Sequence, residues 1–147
     1  MHPTAARVQA RLHERGLAVS VRELPDSTRT AAEAAAAVGC EVGQIVKSLV
    51  FLRGEVPVMV LCAGDRRVAA ERLGLRAARA DEARAATGYA IGGVPPLGHD
   101  RELATVVDES LRRFETVWCA AGTPHAVFEV ATDALIAAIP GAEVGPV

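Results

Sequence analysis

46-VKSLVFLRGEVPVMVLCA-63 holds two valine-rich apolar runs on either side of a glycine turn. Residues 46–53 and 57–63 read as strands, and Gly54 as the turn that joins them into a hairpin. The second run is apolar at nearly every position, so it belongs in the middle of a sheet with both faces covered. The first run carries an exception, because a lysine sits inside 43-GQIVKSLVF-51. Lys47 is the only lysine in the chain; the other cationic residues are arginines. Strand alternation places Lys47 with Leu49 and Phe51 on one side and Val46, Ser48, Val50 and Leu52 on the other. Neither side is polar, so the ammonium projects from an apolar surface either way.

Working outward, residues 4–15 read as a helix with Ala5, Val8 and Leu12 on one face and Gly16 as the stop. The alternating run 17-LAVSVREL-24 reads as a strand ended by Pro25. Thr30 and Glu33 form a capping-box signature ahead of a helix over 31–38, and Gly39 closes it. A helical turn at 41–45 leads into the lysine strand. Helices follow near 68–73 and 81–87, then a loop-rich segment, 88-GYAIGGVPPLGHDREL-103. Strands are expected at 104–109, 116–121 and 126–130, the last two joined as a second hairpin by 122-GTPH-125. A final helix covers 133–139. This order predicts an α+β fold: a single domain over 1–147, core about 20–139, with a twisted, mostly antiparallel or mixed sheet flanked by helices.

Half of the 147 residues are hydrophobic and 23% are charged, which fits a folded core rather than a disordered chain. No apolar run reaches membrane-spanning length, and the N-terminal segment lacks the apolar core of a signal peptide. Three well-separated cysteines, Cys40, Cys62 and Cys119, suggest neither a disulfide framework nor a zinc knuckle. The expected setting is the reducing cytoplasm. A formal charge of −2 argues against binding nucleic acid by overall charge, though a local basic face is still open. Arg66, Arg67, Arg72, Arg76, Arg79 and Arg84 crowd together and read as a solvated helical surface with Glu71, Asp81 and Glu82 as partners.

Two readings of Lys47 compete. Its ammonium snorkels to water from the start of the strand, or it lines a pocket and meets a carbonyl, carboxylate or phosphate. A compact ammonium suits a tight pocket better than a broad guanidinium does. The loop 92-GGVPPLGH-99 is the second candidate, since Gly92 and Gly93 permit close approach and Pro95 and Pro96 stiffen the rim. Asp65 and Asp108 sit at strand ends, where functional groups and caps both occur. Gly122 and Thr123 begin a hairpin turn. His99 and His125 lie in loops with the pKa range of a base. Cys62 and Cys119 read as core.

Together, 43-GQIVKSLVF-51, 60-VLCAGDRRVAAERLG-74, 87-TGYAIGGVPPLGH-99, 105-TVVDESL-111 and 117-VWCAAGTPHAVFEV-130 resemble the YbaK/EbsC family of aminoacyl-tRNA deacylases, related to the editing insertion of prolyl-tRNA synthetase. The resemblance implies a twisted, largely antiparallel sheet flanked by helices. It implies a trans-editing hydrolase that cleaves the ester of mischarged tRNA, often tRNA(Pro) carrying a wrong small amino acid such as alanine or cysteine. Lys47 falls on the family's essential lysine. Gly93, Val94, Pro95 and Pro96 fall on its Gly-x-x-Pro element, which holds the aminoacyl end of the acceptor. With Gly92, Asp65, Gly122, Thr123 and His125 they form the candidate substrate-binding set. No metal or cofactor is implied, and the modest net charge leaves room for a synthetase that delivers the tRNA. The cysteinyl-specific branch has a serine where this chain has Pro95, a serine near Ala120 and an aspartate near Val127, so the resemblance implies a more apolar pocket here. A non-hydrolytic aminoacyl- or nucleotide-binding, regulatory module of the same fold is the alternative.

Overall fold

The computed structural model describes residues 1–147. Helix α1 (Pro3–Glu14) buries Ala5, Val8 and Leu12, the three residues expected on its inner face. Helix α2 (Ala31–Val38) starts at Thr30, whose Oγ1 accepts the Glu33 N–H at 3.1 Å and donates to the Glu33 carboxylate. It stops at Gly39, whose φ of 77° ends the helix in the left-handed region.

The chain forms two sheets. The larger contains β2 (Val46–Arg53), β3 (Val56–Ala63), β4 (Arg76–Ala77), β5 (Ala104–Asp108) and β8 (Glu143–Gly145) in the order β4-β2-β3-β5-β8. The smaller contains β1 (Arg22–Glu23), β6 (Thr116–Ala120) and β7 (Ala126–Ala131) in the order β1-β7-β6. Strands β2 and β3 form the expected antiparallel hairpin, and β6 and β7 the other. As its composition requires, β3 is central, and residues 58–63 are buried throughout. Pairs β3–β5 and β5–β8 are parallel, so the larger sheet is mixed. A parallel neighbour needs a crossover. That crossover runs from residue 64 to residue 103 and carries α3 (Ala70–Leu73), β4, α4 (Ala80–Thr87) and the glycine–proline loop. No helix is long and apolar enough to cross a membrane.

The main core lies where α1 meets one face of the larger sheet and the inner face of the smaller one, joining Leu12, Met59, Leu61, Val107 and Phe128. A second cluster, with Phe51, Val60, Cys62 and Leu75, covers the opposite face of the larger sheet. Lys47 lies on that second face, opposite Cys62 in register.

The expected strand over 17–24 shrinks to Arg22–Glu23. Leu17 and Val19 are buried as alternation implies, but the Val21 N–H donates to Gln9 Oε1 of α1 at 2.8 Å rather than to a strand. Alternation there records burial against a helix. The helix near 68–73 is only Ala70–Leu73, and the short strands β4 and β8 lack a run long enough to show alternation.

Candidate functional site

Beyond the shared core, one isolated parallel bridge, Ile45 to Trp118, links the two sheets. Strand β4 covers β2 only at Phe51 and Leu52, so the first half of β2 is an open edge. A cavity of about 750 Å³ opens along that edge, within the range of small-ligand sites. Its walls come from residues 45–51, the N-terminal half of α2, residues 118–120 of β6, and Ile91, Gly92 and Val94 of the loop.

Most of the lining is apolar, and it contains no aspartate, glutamate or histidine. It does contain three cations: Arg29, Lys47 and Arg67. None of the three has an ion-pair partner. Positive charge with apolar walls and no counter-ion favours an anionic ligand with an apolar part. Lys47 is half-buried, and its ammonium donates to the main-chain carbonyl of Arg66. That contact ties the strand to the turn after β3 and leaves the charge unneutralised.

Facing Lys47 across the hairpin, Cys62 is fully buried. Burial pushes its thiol up to about 11, although the Lys47 charge pulls the other way. Cys119 lines the cavity and is also pushed up by burial. Both thiols stay protonated near neutral pH, so neither is a ready nucleophile.

The structure divides the residues singled out in the sequence. Lys47, Gly92 and Val94 line the cavity. Gly93, Pro95 and Pro96 are buried and do not line it. The Gly93 carbonyl accepts the Gly122 N–H at 2.7 Å, and Gly122 in turn packs on Thr4 and Val8 of α1. Gly93 and Gly122 therefore join the loop to the second hairpin. Thr123 Oγ1 accepts the His125 N–H at 3.2 Å within the hairpin turn, and His125 itself is exposed. Asp65 lies outside the cavity in a two-pronged pair with Arg113, at 2.8 and 2.9 Å. The Arg113 guanidinium holds its carboxyl below the usual range. Asp108 is a buried cap: its two oxygens accept the Ala63 and Ser110 N–H groups at 3.0 and 2.9 Å. His99 donates to or accepts from no cavity group; its ring bonds to the Pro95 carbonyl.

Thr87-Gly88-Tyr89 braces the loop. Thr87 Oγ1 accepts the Tyr89 N–H at 3.1 Å, and the buried Tyr89 hydroxyl donates to Gly98 O. Arg11 of α1 donates to the Tyr89 hydroxyl, to Gly98 O and to Asp100.

Arg29, Ile91 and Trp118 are cavity residues that nothing in the sequence marked, and Arg67, expected on a solvated helical surface, lines the cavity as well. Within the arginine cluster, Arg76 and Arg79 do pair with Glu82 and Asp81. Arg67 differs from them only in direction, which composition does not encode. Ile91 is 59% exposed although it is a large aliphatic residue. Ala120 and Val127 line the cavity, whereas Pro95 is buried outside its lining.

A crystal structure of a candidate trans-editing enzyme for prolyl-tRNA synthetase superposes with a TM-score of 0.91 at 47% identity, covering 99% of this chain and 97% of that one. The uncharacterized protein YwhH of Bacillus subtilis (strain 168) is 32% identical over 117 residues, 75% of this chain and 74% of that protein. Proline–tRNA ligase of Lactobacillus gasseri is 36% identical over 76 residues, which are 47% of this chain but 14% of the ligase. Residues 25–138, which include both hairpins and the loop, match the aminoacyl-tRNA editing domain, and the chain belongs to that family.

Proposed function

We propose that this protein is a trans-editing hydrolase that deacylates mischarged aminoacyl-tRNA, with tRNA(Pro) bearing a wrong small amino acid, alanine above all, as the favoured substrate. The observation that carries this reading is the composition of the cavity. Three unpaired cations serve the phosphates of an acceptor end, and an apolar interior serves a small side chain. Ala120 and Val127 present methyl groups where a cysteinyl-selective pocket carries polar ones, which favours alanyl. Cysteinyl esters still enter, because hydrophobic pockets discriminate weakly between side chains of similar size.

The chemistry is modest. An aminoacyl ester is already activated, so holding it beside a water lowers much of the barrier. The water oxygen adds to the ester carbonyl carbon, and charge develops on the carbonyl oxygen. Collapse expels the ribose oxygen, which leaves as the free terminal hydroxyl of the tRNA, and the amino acid departs as its carboxylate. Lys47 supplies positive charge near the phosphate or the developing oxyanion. With no carboxylate or imidazole in the lining, the vicinal ribose hydroxyl is the group at hand to help activate the water.

The same lack of a protein base favours a second reading, in which the cavity binds an aminoacyl or nucleotide group without turnover. A panel of mischarged tRNAs separates the two. Wild type should release alanine from Ala-tRNA(Pro) well above the spontaneous rate, and Lys47→Ala should lose about a hundredfold or more. Release at the spontaneous rate on every substrate would leave only the binding reading. Full activity in Lys47→Ala would remove the lysine from the mechanism.

A further inference from the structure

His99 lies outside the cavity, yet it holds the loop that forms one cavity wall. Pro95 and Pro96 have no N–H to give. Between Gly93 and Gly98 the main chain makes no backbone–backbone hydrogen bond at all. The span is fixed at its ends. Gly93 donates to Ala90 O at 3.0 Å and accepts from Gly122, while Gly98 O accepts from Arg11 and Tyr89. In the middle, the buried Pro95 carbonyl meets His99 Nε2 at 2.7 Å. A carbonyl can only accept, so Nε2 carries the proton and Nδ1 is bare in the neutral ring. Burial, with Arg15 and Arg11 nearby, holds the imidazole below its ordinary pKa and keeps it neutral; Asp100 and the bond to Pro95 oppose this.

Val94, one residue before Pro95, is buried and lines the cavity. The Pro95 ring fixes φ between the two residues, so holding the Pro95 carbonyl restrains the chain one residue from the wall against which the aminoacyl group packs.

We propose that His99 is a positioning residue for ester hydrolysis: donating from Nε2 to the Pro95 carbonyl, it fixes the Val94 segment of the cavity wall. This rests on the deacylase reading above. It needs a donor at the Nε2 position and does not need a base. Glutamine is the substitution that keeps a side-chain N–H donor without a titratable ring.

Two readouts on three variants test this. The variants are His99→Gln, which keeps the donor, His99→Asn, which is polar but too short, and His99→Leu, which removes it. One readout is kcat/KM on Ala-tRNA(Pro). The other is amide hydrogen exchange at Gly93 and Gly122 in the free protein. His99→Leu and His99→Asn should lose about tenfold in kcat/KM and show about tenfold faster exchange at both amides, the cost of leaving a buried carbonyl unpaired. His99→Gln should stay within about threefold of wild type on both. Wild-type behaviour in His99→Leu and His99→Asn, or a His99→Gln as impaired as they are, overturns the proposal. If His99→Leu does not fold, the Gln and Asn pair still decides. If wild type itself hydrolyses nothing, the deacylase reading falls, and the exchange measurement still decides whether His99 sets the loop.

Discussion

Gly122 donates its N–H to the carbonyl of Gly93 at 2.7 Å, and the two backbones lie so close that a Cβ on Gly93 would sit 2.5 Å from the Gly122 carbonyl oxygen. This one contact locks the loop before β5 to the turn between β6 and β7. The loop leads into β5 of the larger sheet and the turn joins two strands of the smaller one, so the bond is a second link between the two halves of the fold, beside the Ile45–Trp118 bridge. Glycine is needed at position 93 for space, whereas at Gly92 it is needed for a φ of 95° with open surroundings.

Gly93→Ala should therefore be more damaging than Gly92→Ala. A methyl group at 93 meets backbone, which cannot rotate away, and should cost about 1–3 kcal/mol by overpacking. It should also part the loop from the hairpin and lower deacylation beyond the loss of folded protein. Gly92→Ala carries backbone strain of about 1 kcal/mol or a little more without a clash. Thermal unfolding together with kcat/KM on both variants checks the order; equal behaviour would contradict the geometry.

Arg67 and Arg29 are exposed, line the cavity and have no acidic partner. If they meet phosphates of the single-stranded acceptor end, Arg67→Ala should raise KM and leave kcat nearly unchanged. It should also reduce the slope of log KM against log salt by about 0.7, the share of one phosphate contact on a single strand. Arg72→Ala, from the same cluster but outside the cavity lining, is the control and should do neither. A salt series on the three proteins gives the answer.

Much of this arrangement was legible in the residues, for local reasons. Gly54 between two valine-rich runs announces the central hairpin, and Thr30 with Glu33 announces the start of α2. Lys47 stood out because its apolar neighbours are its immediate neighbours in sequence. The parallel pairing of β5 with β3 was not legible, since a forty-residue crossover separates the partners and no local pattern encodes it. Asp65 shows the same limit. A carboxylate at a strand end reads alike whether it faces substrate or Arg113, forty-eight positions away. Arg67 could not be told from Arg66 until the turn after β3 set their directions.

Stability should fall in acid in two separate windows. Burial lowers the pKa of His99, so the unfolded chain takes up this proton more readily than the folded one. The resulting stability is complete above the ordinary histidine pKa of about 6.5 and declines as pH drops below it toward the folded value. His99→Gln should flatten the part of the Tm profile that falls as pH drops below about 6.5. Asp65 is also depressed, by Arg113, and its contribution is present above the ordinary carboxylate pKa of about 4. It fades only as pH falls further, and Asp65→Asn should remove that lower step while leaving the upper one. Both steps persisting in either variant would assign the acid sensitivity elsewhere.

Asp108 supplies the sharpest separation of fold from function. It is 4% exposed, stands outside the cavity lining, and caps two elements at once. One oxygen holds the Ala63 N–H at the end of β3, and the other holds the Ser110 N–H of the following turn. Asp108→Ala strands the buried Ala63 donor and should cost about 1–3 kcal/mol in denaturant unfolding. Asp108→Asn keeps one acceptor oxygen and should cost less. Because Ala63 directly precedes Gly64, which does line the cavity, a small rise in KM is expected with kcat per folded molecule preserved. A collapse of kcat in fully folded Asp108→Asn would mean that the carboxylate takes part in the reaction, and the base-free mechanism would then have to be abandoned.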